Sequence, residues 1–267
     1  VLANEFEFDN SPFVEALESL NFDVNNNATT SFMNTLYVIP GEMELENIGT
    51  LDENSAESLW ADRTPEHWRF EESALANLLA EIGYRSFEFS SEWSSSIFTR
   101  TFPVSFYEST GLKTIPIALQ PWRSSIGTGG VGMVENLAKT AALSTEQDVL
   151  VFSYNFQPHP PYFFDSNGTI AGTGSVQPST TLRQADWQRK DAFVAQTEFV
   201  NAQILRTIGK ILSQSQMDPL IIIQSDHGPA SNWTAKGGLS SYPNEDLFYE
   251  RTSILSAVHL PTSCDKS

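Results

Sequence analysis

A single cysteine, Cys264, stands among 267 residues, so no intrachain disulfide can form and redox chemistry does not reveal the compartment. Basic residues are scarce. The 15 Lys plus Arg face 33 Asp plus Glu, a formal net charge of −18, which argues against a nucleic-acid phosphate backbone as partner. Such a surface also repels an anionic substrate unless a cation or local basic groups offset the field, which strengthens the case for bound metal. No apolar run reaches the roughly 18 residues of a membrane-spanning helix, and the opening Val1-Leu2-Ala3-Asn4-Glu5 is neither a signal nor a transit peptide. An initiator Met is also lacking and the last residues, Thr262 to Ser267, are polar; the sequence is therefore expected to be a piece of a longer protein. Neither internal repeats nor coiled-coil heptads occur.

What is present is a core-forming composition, 40% apolar and 12% aromatic, enough for one α/β domain over 1–267. Phe13, Val14, Leu17 and Leu20 share one helical face, with Asp9, Asn10 or Ser11 as N-cap, and Phe22 to Val24 reads as a short strand. Phe70 to Ile82 repeats the helical pattern, stopped by Gly83 and followed by an alternating strand, Tyr84 to Phe89. Val149 to Phe156 is a further strand, Asp191 to Leu212 a long helix, and Leu220 to Ile223 an apolar strand. Alternation of this kind predicts a largely parallel central sheet with helices on both faces. Ser166 to Gln188 reads as a long surface loop or lid, and Gly127 to Gly132 as a flexible connection, since it lacks the Lys-Ser/Thr of a phosphate-binding loop. Sequons begin at Asn27, Asn167 and Asn232.

Three segments carry chemistry. After the apolar strand come Asp226, His227 and Gly228, at the strand end where open α/β sheets bind ligands; carboxylate and imidazole together suit zinc, manganese or magnesium. The plainer reading is an Asx-type turn with a surface histidine. The hydroxyl-rich stretch Asn25 to Tyr37 follows a short strand, and a hydroxyl at a helix N-terminus there would have its alkoxide stabilised by backbone N–H groups, unless it merely caps the helix. In Phe156-Gln157-Pro158-His159-Pro160-Pro161-Tyr162 the prolines stiffen the turn and fix His159, which suits an imidazole that donates to an anionic oxygen; the alternative is a rigid loop with a surface histidine.

In order and spacing, these segments resemble the sulfatase-like domains of the alkaline-phosphatase superfamily, in the branch of lipoteichoic-acid-synthase-like and phosphoethanolamine-transferase-like proteins. The likeness runs from Asp9-Asn10-Ser11-Pro12-Phe13 and Thr35-Leu36, through Gly83-Tyr84 to Trp93, the His159 loop with Phe164 to Gly168, and Gln224 to Pro229, to Glu250 through Leu255. The resemblance implies that Asp226 and His227 bind a divalent metal, that Thr35 is the metal-coordinated nucleophile with Thr29 and Thr30 in reserve, and that His159 and Tyr162 contact the substrate. It implies a phosphoryl-group transferase of phosphoglycerol or phosphoethanolamine type, or a phosphodiester hydrolase, acting on a phosphorylated lipid or glycan. Localisation on the extracellular or periplasmic face, with a membrane anchor upstream of Val1, is implied as well.

Departures from that pattern matter too. No Cys or Ser stands in the Cys/Ser-x-Pro-x-Arg context from which formylglycine is made, which disfavours a sulfatase. The first strand and its acidic ligand are missing before Phe13, and Glu5, Glu7 and Asp9 follow no apolar run. Pro40-Gly41 interrupts the helix expected after Thr35. These departures keep a second reading open, a degenerate, non-catalytic module that binds an anionic glycan or lipid headgroup. A two-metal mutase would need more strand-end His and Asp than the sequence offers, and His259 is expected to be a structural strand-end histidine.

Overall fold

A computed structural model of the chain describes residues 1–32, 35–45, 70–90, 137, 148–155, 157–160, 162, 164–169, 188–231 and 245–264. The glycine-rich segment 127–132, Ser91 to Trp93, most of the 166–188 loop, Phe156, Pro161 and the sequon at Asn232 lie outside the described residues. The chain divides into two compact units, one of Val1–Val38, Gln157–Leu212 and Met217–Ser267, the other of Ile39–Phe156 and Ser213–Gln216.

In the first unit, α1 (Leu2–Phe6) and α2 (Ser11–Ser19) precede β1 (Phe22–Val24). Asn10 is the N-cap residue of α2, but its side chain accepts from Asn201 Nδ2 at 2.7 Å, and Asp9 Oδ1 instead takes the Ser11 amide at 3.0 Å. The predicted apolar face is used: Phe13 and Leu17 pack with Phe22 of β1, Ile208 of the long helix α5 (Lys190–Gln214) and Ala257 of β5 (Ser256–His259). A second cluster gathers Phe6, Tyr162 and Phe193, with the Phe6 and Phe193 rings 4.6 Å apart.

The sheet here is antiparallel, in the order β1–β5–β4, with Ile221 of β4 (Ile221–Gln224) opposite His259. The largely parallel central sheet expected from the sequence is therefore present among the described residues only as a two-stranded pair in the second unit. The physical reason is the path between β4 and β5. The chain returns through α6 (Glu245–Thr252), and bonds from Ser225 N to Leu255 O at 3.0 Å and Gly228 N to Arg251 O at 2.8 Å bring it back in the opposite direction. Among the described residues β4 has a strand partner on one side only, β5, and Ile222 is 61% exposed. His259 is structural as expected, buried, with Nδ1 3.0 Å from Leu20 O and Nε2 2.9 Å from Asp218 Oδ1.

In the second unit, β2 (Arg85–Ser90) and β3 (Val149–Tyr154) pair in parallel, Arg85 opposite Val149. The expected helix from Phe70 is split: a 3₁₀ turn over Phe70–Glu72, then α4 (Ala74–Glu81), because the buried Ser73 hydroxyl caps Ala76 N at 3.3 Å. Gly83 ends α4 as predicted, at φ 97°, with Tyr84 N bonded to Leu79 O and Gly83 N to Ala80 O, a Schellman arrangement that only a left-handed residue allows. Helix α3 (Thr35–Met43) runs through Pro40 instead of stopping before it. Val38, Ile39 and Pro40 are all buried, and that burial outweighs the penalty of about 3 kcal/mol for an internal proline.

Candidate active site

Thr35 is the first residue of α3, so its hydroxyl lies at the end of the helix where backbone N–H groups have no intrahelical partner and the dipole favours negative charge. Asp226 and His227 follow β4 by two and three residues. The structure brings these three together across 191 residues of sequence: the Thr35 hydroxyl donates to Asp226 Oδ2 in a short hydrogen bond and lies 3.1 Å from His227 Nε2, and Nε2 lies 3.4 Å from Asp226 Oδ2. The backbone of Thr29 and Thr30 pairs with the end of α6 and the residue after it, through a bridge from Thr29 to Ser253 and a bond from Thr30 N to Thr252 O.

The orientation of the imidazole is fixed by its other nitrogen. His227 Nδ1 lies 3.0 Å from Gly228 O, and a carbonyl only accepts, so Nδ1 carries the hydrogen and Nε2 presents a lone pair toward Thr35 and Asp226. Asp226 Oδ1 accepts the His227 amide at 2.9 Å, which leaves Oδ2 for Thr35. A carboxylate oxygen, an imidazole nitrogen and a hydroxyl oxygen thus face one another with a single hydrogen among them, an electron-rich set that suits a cation. Ligands of tetrahedral zinc at about 2.0–2.1 Å lie roughly 3.3 Å from one another. The 3.1 and 3.4 Å separations of Nε2 from Oγ1 and Oδ2 match that spacing. Among the described residues no group of three or more His, Cys, Asp or Glu lies close enough to hold an ion, so these residues supply three donors, one of them a hydroxyl.

His159 sits between a cis Gln157–Pro158 bond and the buried Pro160, with Nδ1 2.5 Å from Pro160 O. Its loop is bracketed by Gln196 of α5, a fully buried amide that accepts from Phe164 N at 3.2 Å and donates to His159 O at 3.4 Å. Burial pushes the His159 pKa down to about 3, and the charges of His227 and Arg251 add to the depression, against the Pro160 carbonyl and Asp226. His227 is likewise depressed to about 4, first by burial and then by Arg251. His159 therefore lies within electrostatic range of the Thr35 cluster and is neutral at pH 7. Tyr162 is placed in the Phe6–Phe193 cluster, its ring edge-on to Phe193 at 6.1 Å.

Two neutral, part-buried histidines predict acid sensitivity. In the unfolded chain both protonate near pH 6.5, while the folded state resists until about 3–4, so the unfolded state binds more protons in between. Stability of the metal-free protein should hold above pH 6.5 and fall steadily as pH drops toward 4. Urea midpoints measured across that window check this; midpoints that stay flat would contradict the burial of both rings.

Sequence reasoning missed the support beneath the pair. Gly228 has no room for a side chain, since a Cβ would lie 1.9 Å from Glu250 O and 2.9 Å from Ser253 O. Glu250 and Arg251, both buried, tie the same turn, Glu250 Oε1 accepting from Ser231 N at 2.7 Å and Arg251 Nη1 donating to Gly228 O at 2.6 Å. Only the glycine after the histidine signalled a close approach.

No protein-family model matches the sequence, and no curated protein matches it. Solved structures do. The C-terminal periplasmic domain of EcEptC from Escherichia coli, in complex with Zn, superposes with a TM-score of 0.57 at 14% identity, covering 98% of this chain and 69% of that one. The chain has the fold of that periplasmic domain. A second structure of the EcEptC domain gives a TM-score of 0.55 over the same shares of both chains, again at 14% identity. At 14% identity the shared property is the fold.

Proposed function

We propose that the chain is the catalytic domain of a metal-dependent phosphoryl-group transferase, of phosphoethanolamine or phosphoglycerol type, or a phosphodiester hydrolase, with Thr35 as nucleophile. The observation that carries this reading is the meeting of the Thr35 hydroxyl with Asp226 and His227 at the start of α3. A divalent ion held by Asp226, His227 and Thr35, with zinc, manganese or magnesium as candidates, would supply Lewis-acid stabilisation of developing charge.

The rest follows from the chain's own groups. The Thr35 proton leaves toward Asp226 Oδ2, where the hydroxyl already points, as Oγ1 bonds to phosphorus; the bond from phosphorus to the donor's alcohol oxygen breaks, and the proton passes on to that departing oxygen. The α3 N-terminus favours the oxyanion before attack. His159, neutral and nearby, is suited to contact the phosphoryl oxygens; an anion there would supply the counter-charge that burial withholds. In the second half, an acceptor alcohol or water gives its proton to Asp226 Oδ2 as its oxygen bonds to phosphorus, the bond from phosphorus to Thr35 Oγ1 breaks, and that proton returns to Oγ1. Because the surface is strongly acidic, the substrate's negative charge needs this local offset. The substrate class is a phosphorylated lipid or glycan at an extracellular or periplasmic membrane face, reached through an upstream anchor; no helix among the described residues is long and apolar enough to cross a membrane.

One observation favours the non-catalytic reading, the lack of a three-residue His, Cys, Asp or Glu group among the described residues. Metal analysis combined with turnover of bis-p-nitrophenyl phosphate separates the two. Stoichiometric metal with turnover is the expected result, whereas metal-free protein that holds an anionic headgroup without turnover would replace the enzyme with a binding module.

A further inference from the structure

The Gly228 carbonyl oxygen is a shared acceptor. His227 Nδ1 approaches it at 3.0 Å and Arg251 Nη1 at 2.6 Å, while the Gly228 amide donates back to Arg251 O at 2.8 Å. Arg251 therefore grips the peptide on both sides of one glycine, from the last turn of α6. The guanidinium is buried with its residue only 3% exposed, which is costly unless its donors are used. The bond from Nη1 to the Gly228 carbonyl offsets part of that cost. Glu250 secures the far end through Ser231 N, and the contact between Gly228 and Glu250 O leaves the turn no lateral freedom.

We infer that Arg251 is a positioning residue that fixes the tautomer of His227 by holding the Gly228 carbonyl where it must accept the Nδ1 hydrogen. The consequence is that Nε2, the atom facing Thr35 and Asp226, always carries a lone pair. Imidazoles that bind metal are oriented in general by an acceptor on the other ring nitrogen, and loss of such an outer partner weakens metal affinity by about 10–100-fold. Arg251 acts one step further out, on the acceptor itself. Without it the carbonyl keeps only a neutral donor and the peptide can rotate, so the ring is free to place its hydrogen on Nε2 and bond Asp226 Oδ2, which lies 3.4 Å away. This inference rests on the reading of His227 as a ligand.

The test compares the full chain with Arg251→Met, which preserves bulk without donors, and Arg251→Lys, which restores a cation and an N–H donor. In metal-free protein labelled with ¹⁵N-histidine, wild-type His227 should show only the Nδ1–H tautomer by NMR, Arg251→Met a mixture with Nε2–H, and Arg251→Lys a return toward wild type. Zinc affinity should fall about ten-fold or more in Arg251→Met and recover in part in Arg251→Lys. A folded Arg251→Met with an unchanged tautomer and zinc affinity within about two-fold of wild type would overturn the inference; wild-type His227 found as the Nε2–H tautomer would do so alone. Should Arg251→Met fail to fold, Arg251→Leu, which is shorter and likewise has no donor, takes its place with the same two outcomes. If wild-type protein binds no zinc, the proposed chemistry fails, and the tautomer comparison in metal-free protein still judges Arg251 separately.

Discussion

Replacing Thr35 with Ala should lower phosphodiester turnover by roughly 10³–10⁵-fold while leaving the fold intact, because the oxygen that attacks phosphorus is gone and nothing adjacent can take its place. The neighbours Asp226 and His227 would remain, but neither sits at the start of a helix with its charge stabilised by free backbone N–H groups. The loss should appear in kcat and kcat/KM together, since substrate binding through other groups is untouched. Stability should change little: Thr35 is only half-buried, and the freed Asp226 carboxylate, its side chain 18% exposed, still reaches water. Thr35→Ser should retain measurable turnover, reduced by roughly ten-fold because the missing methyl frees the rotamer that aims the oxygen. Full activity in the Ala variant would remove Thr35 from the chemistry.

The second large effect concerns a residue with no reactive atom. Gly228→Ala would place a carbon 1.9 Å from Glu250 O, and that oxygen is backbone in the last turn of α6, not a side chain able to swing aside. Either α6 moves away, breaking the Gly228–Arg251 pair of bonds, or the turn carrying Asp226 and His227 rotates. Both routes separate the pair from Thr35. Overpacking of this kind costs about 1–3 kcal/mol, a melting drop of about 2–12 °C in a chain of this size. Metal affinity should fall further than stability, because a displacement of about 1 Å removes a ligand whereas the core of Phe13, Leu17, Phe22 and Ile208 stays packed. Calorimetric melting beside a zinc titration tests this, and wild-type affinity in a folded Ala variant would show that the turn is not the support it is taken to be.

Asp226 and His227 were legible because a four-residue apolar run breaks into an acid and an imidazole, an abrupt change that a simple surface turn seldom needs. The end of α4 was legible for a similarly local reason, since only glycine fits the left-handed residue that closes it. Thr35 came from the resemblance and not from its own surroundings; Thr29 and Thr30 have the same chemistry, and only the fold places Thr35 Oγ1 against Asp226 and His227.

The antiparallel sheet was hidden for a different reason. Three consecutive isoleucines are apolar on both faces, so the alternation that leaves Ile222 exposed and Ile221 and Ile223 turned inward leaves no mark in the sequence. Strand direction is a property of the return path through α6, which hydropathy does not encode. Buried polar groups were equally invisible. Glu250, Arg251 and Gln196 look like solvated helix surface until their partners, Ser231 N, Gly228 O and the two ends of the His159 loop, are located in space. Pro40 illustrates tertiary packing overriding a local rule.

In the proposed mechanism the Thr35 oxygen becomes covalently bonded to phosphorus, and the decisive experiment is to trap that bond. Metal-loaded protein mixed with bis-p-nitrophenyl phosphate, quenched in acid within the first turnovers and digested for mass spectrometry, should carry a nitrophenyl-phosphoryl group on Thr35 and none in the Thr35→Ala variant. Sustained turnover with Thr35 unmodified, or the adduct on a different residue, would contradict it.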